Sequence, residues 1–113
     1  MPATSDLLNK HCTACTPGTP PLDEATVGKA LADLPGWVLV GREIAKTYTF
    51  TNYHETMAFV NATAWISHRE DHHPDLEVGY NKCRVRYSTH SVGGLSENDL
   101  ICAAKVDALI AAS

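Results

Sequence analysis

The stretch HHPDLEVGYNKCRVRYSTH runs from His72 to His90. Within it Leu76, Val78 and Tyr80 alternate with Asp75, Glu77 and Gly79. After Asn81-Lys82, Cys83, Val85 and Tyr87 alternate with Arg84, Arg86 and Ser88. A period of two places each apolar set on one side of a pleated strand, and the short polar break joins the strands as an antiparallel hairpin. A hairpin brings its two open ends together. His90 therefore returns towards Pro74, beside His72 and His73, although at least 17 residues separate them along the chain.

Working outward, Trp37–Val40 and Glu43–Phe50 form a second β-rich pair around Gly41-Arg42. Before it, Ala25, Val27, Ala30, Leu31 and Leu34 fit a short helix from Leu22 to Leu34. Asp23 and Glu24 favour its N-terminus, and Pro35-Gly36 stops it. Between the hairpins, Asn52 and Glu55 make a capping-box start for a helix to about Asp71. Its apolar residues, Met57 to Val60, Ala62 and Ala64 to Ile66, cover most of the circumference. Such a helix must bury a second face, which predicts self-association. Ser96 caps a last helix to about Ala112. The order helix–strand–strand–helix–strand–strand–helix predicts an α+β fold, a four-stranded antiparallel sheet with three helices on one face. Residues 22–113 form this single domain, and 1–21, polar and ending in TPGTPP, read as a flexible tail.

Composition narrows the function. Charge is −4 at neutral pH, with nine basic residues dispersed along the chain, so no nucleic-acid or anionic-membrane surface is expected. No apolar run approaches the ~20 residues that span a bilayer. The N-terminus lacks a signal-like apolar core, and a cytoplasmic location is expected. Four cysteines in such a chain do not predict structural disulfides. Cys12 and Cys15 have metal or redox spacing, but no second ligand pair lies nearby in sequence to complete a four-ligand site.

The histidines admit three readings. His68 near a helix C-terminus suits the dipole and explains nothing further. His68 and His72 stand at i and i+4, as in zinc-binding HxxxH. The acid in HREDH, however, is two residues after the first histidine, and the helix ends at His72. The third reading is acid–base chemistry without metal. Imidazole gains and loses a proton near neutrality, so converging His72, His73 and His90 could take one proton and give another. Pro74 ends the helix by restricting His73 to extended geometry, and so fixes the backbone that aims the first two. Ser88, Thr89 and the Gly93-Gly94 loop offer polar groups to a heterocycle. Asp99 is either the N3 member of the capping box begun by Ser96 or a group that orients a histidine, or both.

Taken together, His68-x-x-x-His72-His73-Pro74, Tyr80, His90 in STH and GGLSENDL with Asp99 resemble the pterin-4a-carbinolamine dehydratase family. The resemblance runs from about Leu22 to Ile110 and includes LPGW before the first strand. It implies a four-stranded sheet with three helices on one face, dimers joined at sheet edges, and tetramers that bundle the central helix. It also implies His72, His73 and His90 as catalytic residues, and substrate contacts along His72 to Pro74 and Thr89 to Val92. Pro74, Thr89, Ser91 and Val92 are therefore expected to bind substrate, with Asp99 joining them if it sits at the pocket edge. The implied reaction is loss of water from a 4a-hydroxytetrahydropterin to give the quinonoid dihydropterin, with no metal or organic cofactor. That step would recycle tetrahydrobiopterin for an aromatic amino acid hydroxylase. Leu76 departs from the pattern, since the family often carries an aromatic there. The competing class is an oligomeric binding or regulatory module, coactivator-like, that keeps the same fold.

Overall fold

Asn52 opens the long central helix as its side chain predicts. Its Oδ1 accepts the Glu55 N–H at 2.9 Å, and Glu55 Oε1 accepts the Thr51 N–H at 3.0 Å. The computed structural model describes residues 7–14 and 18–111. Its elements are α1 (Glu24–Leu31), β1 (Val38–Val40), β2 (Glu43–Thr49), α2 (Tyr53–Glu70), β3 (Asp75–Val78), β4 (Lys82–Tyr87), a short 3-10 turn (His90–Val92) and α3 (Glu97–Ala111). This is the expected α+β order.

The four strands pair antiparallel in the order β1-β2-β4-β3. Register sets which side chains share a face. Ile44 lies opposite Tyr87, Lys46 opposite Val85, and Tyr48 opposite Cys83. Ile44, Tyr48, Cys83, Val85 and Tyr87 are all buried, and they form one core with Phe59 and Ile66 of α2 and Leu100, Ile101 and Ala104 of α3. Each such apolar side chain contributes about 1.5–3 kcal/mol by leaving water. The other face of the sheet is ionic. Arg86 reaches Glu43 at 3.2 Å and Glu77 at 3.1 Å, and Arg84 reaches Glu77 at 3.1 Å. One apolar and one charged face explain why the helices cover a single side. Leu76, opposite Val85, packs on the core.

Asp107 ties α3 to the sheet. Its Oδ1 accepts from Trp37 Nε1 at 3.1 Å, Lys46 Nζ at 2.9 Å and the Tyr48 hydroxyl. Burial, then the bond and charge of Asp107, push the Tyr48 hydroxyl well above the ordinary tyrosine range, so it stays a donor.

Three local outcomes differ from the sequence reading. The second hairpin turns at Tyr80-Asn81, one residue earlier than expected, because the Gly79 N–H donates to Lys82 O at 2.8 Å. Tyr80 is thus a turn residue and 65% exposed. Next, α2 ends before Pro74 can act. Asp71 adopts the left-handed region at φ 51°, and the His72 N–H returns to Ser67 O at 3.2 Å. A non-glycine residue there costs on the order of 1 kcal/mol.

The third difference concerns the tail. Over residues 7–14 it is a docked strap. Leu7 is buried against the core, and Lys105 Nζ donates to Leu8 O at 3.1 Å. The Cys12 N–H donates to Glu70 Oε1 at 2.7 Å, the His11 ring meets Glu70 Oε2 at 3.0 Å, and Thr13 and Asn98 exchange two hydrogen bonds at 3.1 and 2.7 Å. Polar composition suggested looseness, but its polar groups find partners on α2 and α3, about 58 to 97 residues away.

Candidate active site

Local geometry builds the site from three corners. The left-handed turn at Asp71 swings His72 off the axis of α2. It therefore leaves the helix face it would share with His68, and the HxxxH ligand geometry is lost. At the far end of β4 the chain continues through Thr89, whose N–H donates to Gly94 O at 2.7 Å, closing a loop around His90–Val92. Gly93 takes φ 69° there, a conformation glycine adopts without penalty. Asp99 lies in the first turn of α3 and is completely buried.

These corners meet at the Asp99 carboxylate. Its Oδ1 lies 2.5 Å from His72 Nε2, while Oδ2 accepts from Thr89 Oγ1 at 2.8 Å and from the Ser96 N–H at 2.9 Å. Because Thr89 Oγ1 donates its proton to Asp99, it accepts from Ser96 Oγ at 2.8 Å. Asp99 therefore does both jobs open to it: it caps α3 at the Ser96 N–H and it orients a histidine. With the carboxylate accepting at Nε2, the ring carries its proton there and keeps Nδ1 as its acceptor. The ring also stacks on Tyr87, with centroids 5.8 Å apart and planes 11° from parallel. Burial first, then the neighbouring Cys102, Cys12 and Asp99, push the Tyr87 hydroxyl well above its usual range, so Tyr87 is a neutral platform.

His72, with 13% of its side chain exposed, lines a cavity of about 310 Å³ together with Asp71, Thr89, Ser91, Asn98 and residues 12–14. His90 is exposed and lines a neighbouring cavity of about 350 Å³ with Arg42, Glu43, Ser88 and Thr89. Thr89 borders both. His73 is exposed, and its side chain makes no hydrogen bond or ion pair among the described residues. Pro74 is half-buried. Val92 is buried and lines a third cavity of about 390 Å³ with Leu22, Val27 and Arg42. The structure thus gathers His72, Thr89, Ser91 and Asp99, sets His90 across Thr89, and leaves His73 in solvent. Asp99 was expected among the substrate-binding residues; here both its oxygens are buried and bonded to His72, Thr89 and Ser96.

Several residues of the site were not singled out from sequence. Tyr87 read as strand core, and the strap residues 12–14 read as tail. One signal was available. Thr56, Phe59, Thr63, Ile66 and Glu70 form the buried stripe of α2, and a carboxylate at the end of that stripe requires a partner. Burial pushes the Glu70 carboxyl up, but the Cys12 N–H, the His11 ring and the Lys105 charge together hold it below the ordinary glutamate value.

Residues 20–109 match the family model for pterin 4 alpha carbinolamine dehydratase. A protein of Nitrosospira multiformis, provisionally named pterin-4-alpha-carbinolamine dehydratase, is 58% identical over 104 residues, covering 92% of each chain. One of Dechloromonas aromatica with the same provisional name is 54% identical over 97% of this chain and 98% of its own. Among solved structures, the transcriptional coactivator/pterin dehydratase from Brucella melitensis superposes with a TM-score of 0.76 at 31% identity, covering 79% of this chain and 97% of that one. A pterin dehydratase-like protein identified as a RuBisCO assembly factor in the alpha-carboxysome gives 0.57 at 28% identity, over 66% of this chain and 88% of that one. The chain belongs to the pterin 4 alpha carbinolamine dehydratase family.

Proposed function

We propose that this protein is a 4a-hydroxytetrahydrobiopterin dehydratase, a hydro-lyase that removes water from the pterin-4a-carbinolamine and returns the quinonoid dihydropterin. The observation that carries this reading is the buried Asp99–His72 pair at 2.5 Å, facing a cavity walled by Thr89 and Ser91. A carboxylate that fixes one ring nitrogen as donor leaves the other ready to accept a proton.

The substrate supplies its own electron push. The N5 lone pair expels the 4a hydroxyl, so the protein must remove the N5 proton and protonate the departing oxygen. No redox or Lewis-acid step is required. In this reading the pterin lies along the Thr89–Val92 loop, which both cavities border, with Pro74 and Ser91 at its edges. His72 takes the N5 proton at Nδ1, and His90, reached across Thr89, gives a proton to the leaving hydroxyl. His73 is assigned as a third catalytic histidine on family resemblance alone.

Homo-oligomerisation belongs to the same proposal. Val38, Leu39 and Val40 of the edge strand β1 are 40–54% exposed, and on α2 Tyr53 and Trp65 are 52% and 62% exposed. A second copy would cover both patches. The proposed setting is cytoplasmic, where free thiols such as Cys12, Cys83 and Cys102 persist and an aromatic amino acid hydroxylase would supply the carbinolamine. Among the described residues, no helix is long and apolar enough to cross a membrane.

A binding or regulatory role is the second reading, favoured by the exposed Trp65 and by the coactivator designation of the Brucella relative. The deciding experiment follows dehydration of a freshly generated 4a-hydroxytetrahydropterin with and without EDTA. We expect chelator-resistant turnover that falls on the order of 10²-fold in His72→Ala and in His90→Ala. Unchanged rates in both variants, or no turnover by the native protein, would leave the binding role.

A further inference from the structure

The HCTAC motif has no part in the proposed dehydration, yet the strap brings one of its thiols to a definite partner. Cys12 Sγ lies 3.6 Å from Cys102 Sγ, which is fully buried on α3. Cys12 itself is half-buried, with its thiol also 3.6 Å from Asn98 O. Ninety residues separate the two cysteines, so the docked strap alone brings them together. Two sulfurs at van der Waals distance need only about 1.5 Å of approach to reach a disulfide bond length of about 2.05 Å.

We propose that Cys12 and Cys102 form a redox-sensitive thiol pair, a modification site whose disulfide clamps the N-terminal strap to α3.

The oxidant is a hydroperoxide. Cys12, the more accessible thiol, attacks its terminal oxygen: the O–O bond breaks, Cys12 becomes a sulfenic acid, and water (or the alcohol) leaves. Cys102 then attacks Cys12 Sγ, forming the S–S bond and expelling the sulfenic hydroxyl. The Cys102 proton joins it to give a second water, so two thiols lose two hydrogens and one peroxide is reduced. The thiol of Cys12 and then burial push Cys102 well above the usual cysteine range. Cys102 is thus a poor first nucleophile, but it is positioned to trap the sulfenic acid before it oxidises further.

The clamp would alter a specific surface. Cys12, Thr13 and Ala14 form one wall of the cavity that His72 lines. Non-covalent bonds to Glu70 and Asn98 hold that wall while the pair is reduced, and the disulfide would make the attachment permanent until a thiol reverses it. This inference stands whether or not the dehydratase reading holds.

The test uses the full chain and hydrogen peroxide. Intact-mass analysis should show loss of about 2 Da, the two thiol hydrogens. Trypsin under non-reducing conditions should then join the peptide 11–29 to the peptide 87–105. The link should persist in Cys15→Ser (Cys15 lies outside the described residues) and disappear in Cys12→Ser. Amide exchange at Cys12 and Thr13 should slow by at least about tenfold on oxidation. A bond confined to the peptide 11–29 would assign the motif to a Cys12–Cys15 pair and overturn the proposal. So would a sulfinic acid on Cys12 with Cys102 still free to alkylate after unfolding. Unchanged exchange despite the cross-link would remove the clamp.

Discussion

Replacing Asp99 by asparagine tests the histidine arrangement most directly. In the native site the carboxylate serves three donors: His72 Nε2 at 2.5 Å, Thr89 Oγ1 at 2.8 Å and the Ser96 N–H at 2.9 Å. Asparagine keeps one oxygen, which can still receive Thr89 and Ser96. Its NH₂ then faces His72 and forces that ring to present Nε2 as an acceptor, moving the ring proton to Nδ1. Packing is preserved, but the second N–H of the buried amide meets no acceptor among these partners, so stability should fall by about 1–3 kcal/mol. Activity should not survive as well. The nitrogen proposed to take the N5 proton now carries one, and a reversed tautomer of this kind costs on the order of 10²- to 10⁴-fold in rate. Asp99→Ala provides the contrast. It strips all three donors of their acceptor, and each unsatisfied buried group costs about 1–3 kcal/mol, so it should destabilise the fold by several kcal/mol. Urea unfolding measures the first quantity and single-turnover dehydration the second. A folded Asp99→Asn protein with native rate would refute the tautomer argument.

Three further outcomes are expected. Because Glu70 has a lower pKa folded than unfolded, its contribution to strap docking is complete above the unfolded value of about 4.3 and is lost as pH falls through the folded value. Glu70→Gln should remove that acid dependence, read by amide exchange at Cys12; an unaltered pH profile would count against Glu70 as the anchor. Asp107→Ala leaves Trp37 Nε1, Lys46 Nζ and the Tyr48 hydroxyl without their shared acceptor, and should lower stability by about 2–4 kcal/mol in a urea titration. Trp65→Glu places charge on the exposed apolar face of α2 and should shift sedimentation towards smaller species; an identical profile would take α2 out of the proposed interface.

Much of this molecule was legible in the order of its residues. Period-two alternation marked β4 and the beginning of β3, the Asn52 and Ser96 signals began two helices, and the hairpin carried the chain from His72 back to Thr89 and His90. These features depend on side chains a few positions apart, whose geometry the backbone period dictates. The sequence also marked Asp99, because an acid three residues after a serine N-cap is a local pattern, but left open whether it caps the helix, orients a histidine, or both.

What remained belongs to contacts between residues far apart in the chain. Pro74 seemed to end α2, but the left-handed Asp71 does so earlier and turns His72 towards Asp99. Three histidines looked equivalent until the tertiary structure paired one with a buried carboxylate, put another across Thr89 and left the third exposed. Residues 7–14 looked loose because their apolar content is low, yet Glu70, Asn98 and Lys105 satisfy their backbone groups from α2 and α3. No local period encodes such pairings. Periodicity sets which face of an element is buried, but only the packed helices and sheet decide which polar groups face one another across the interior, and that is where the chemistry of this protein is set.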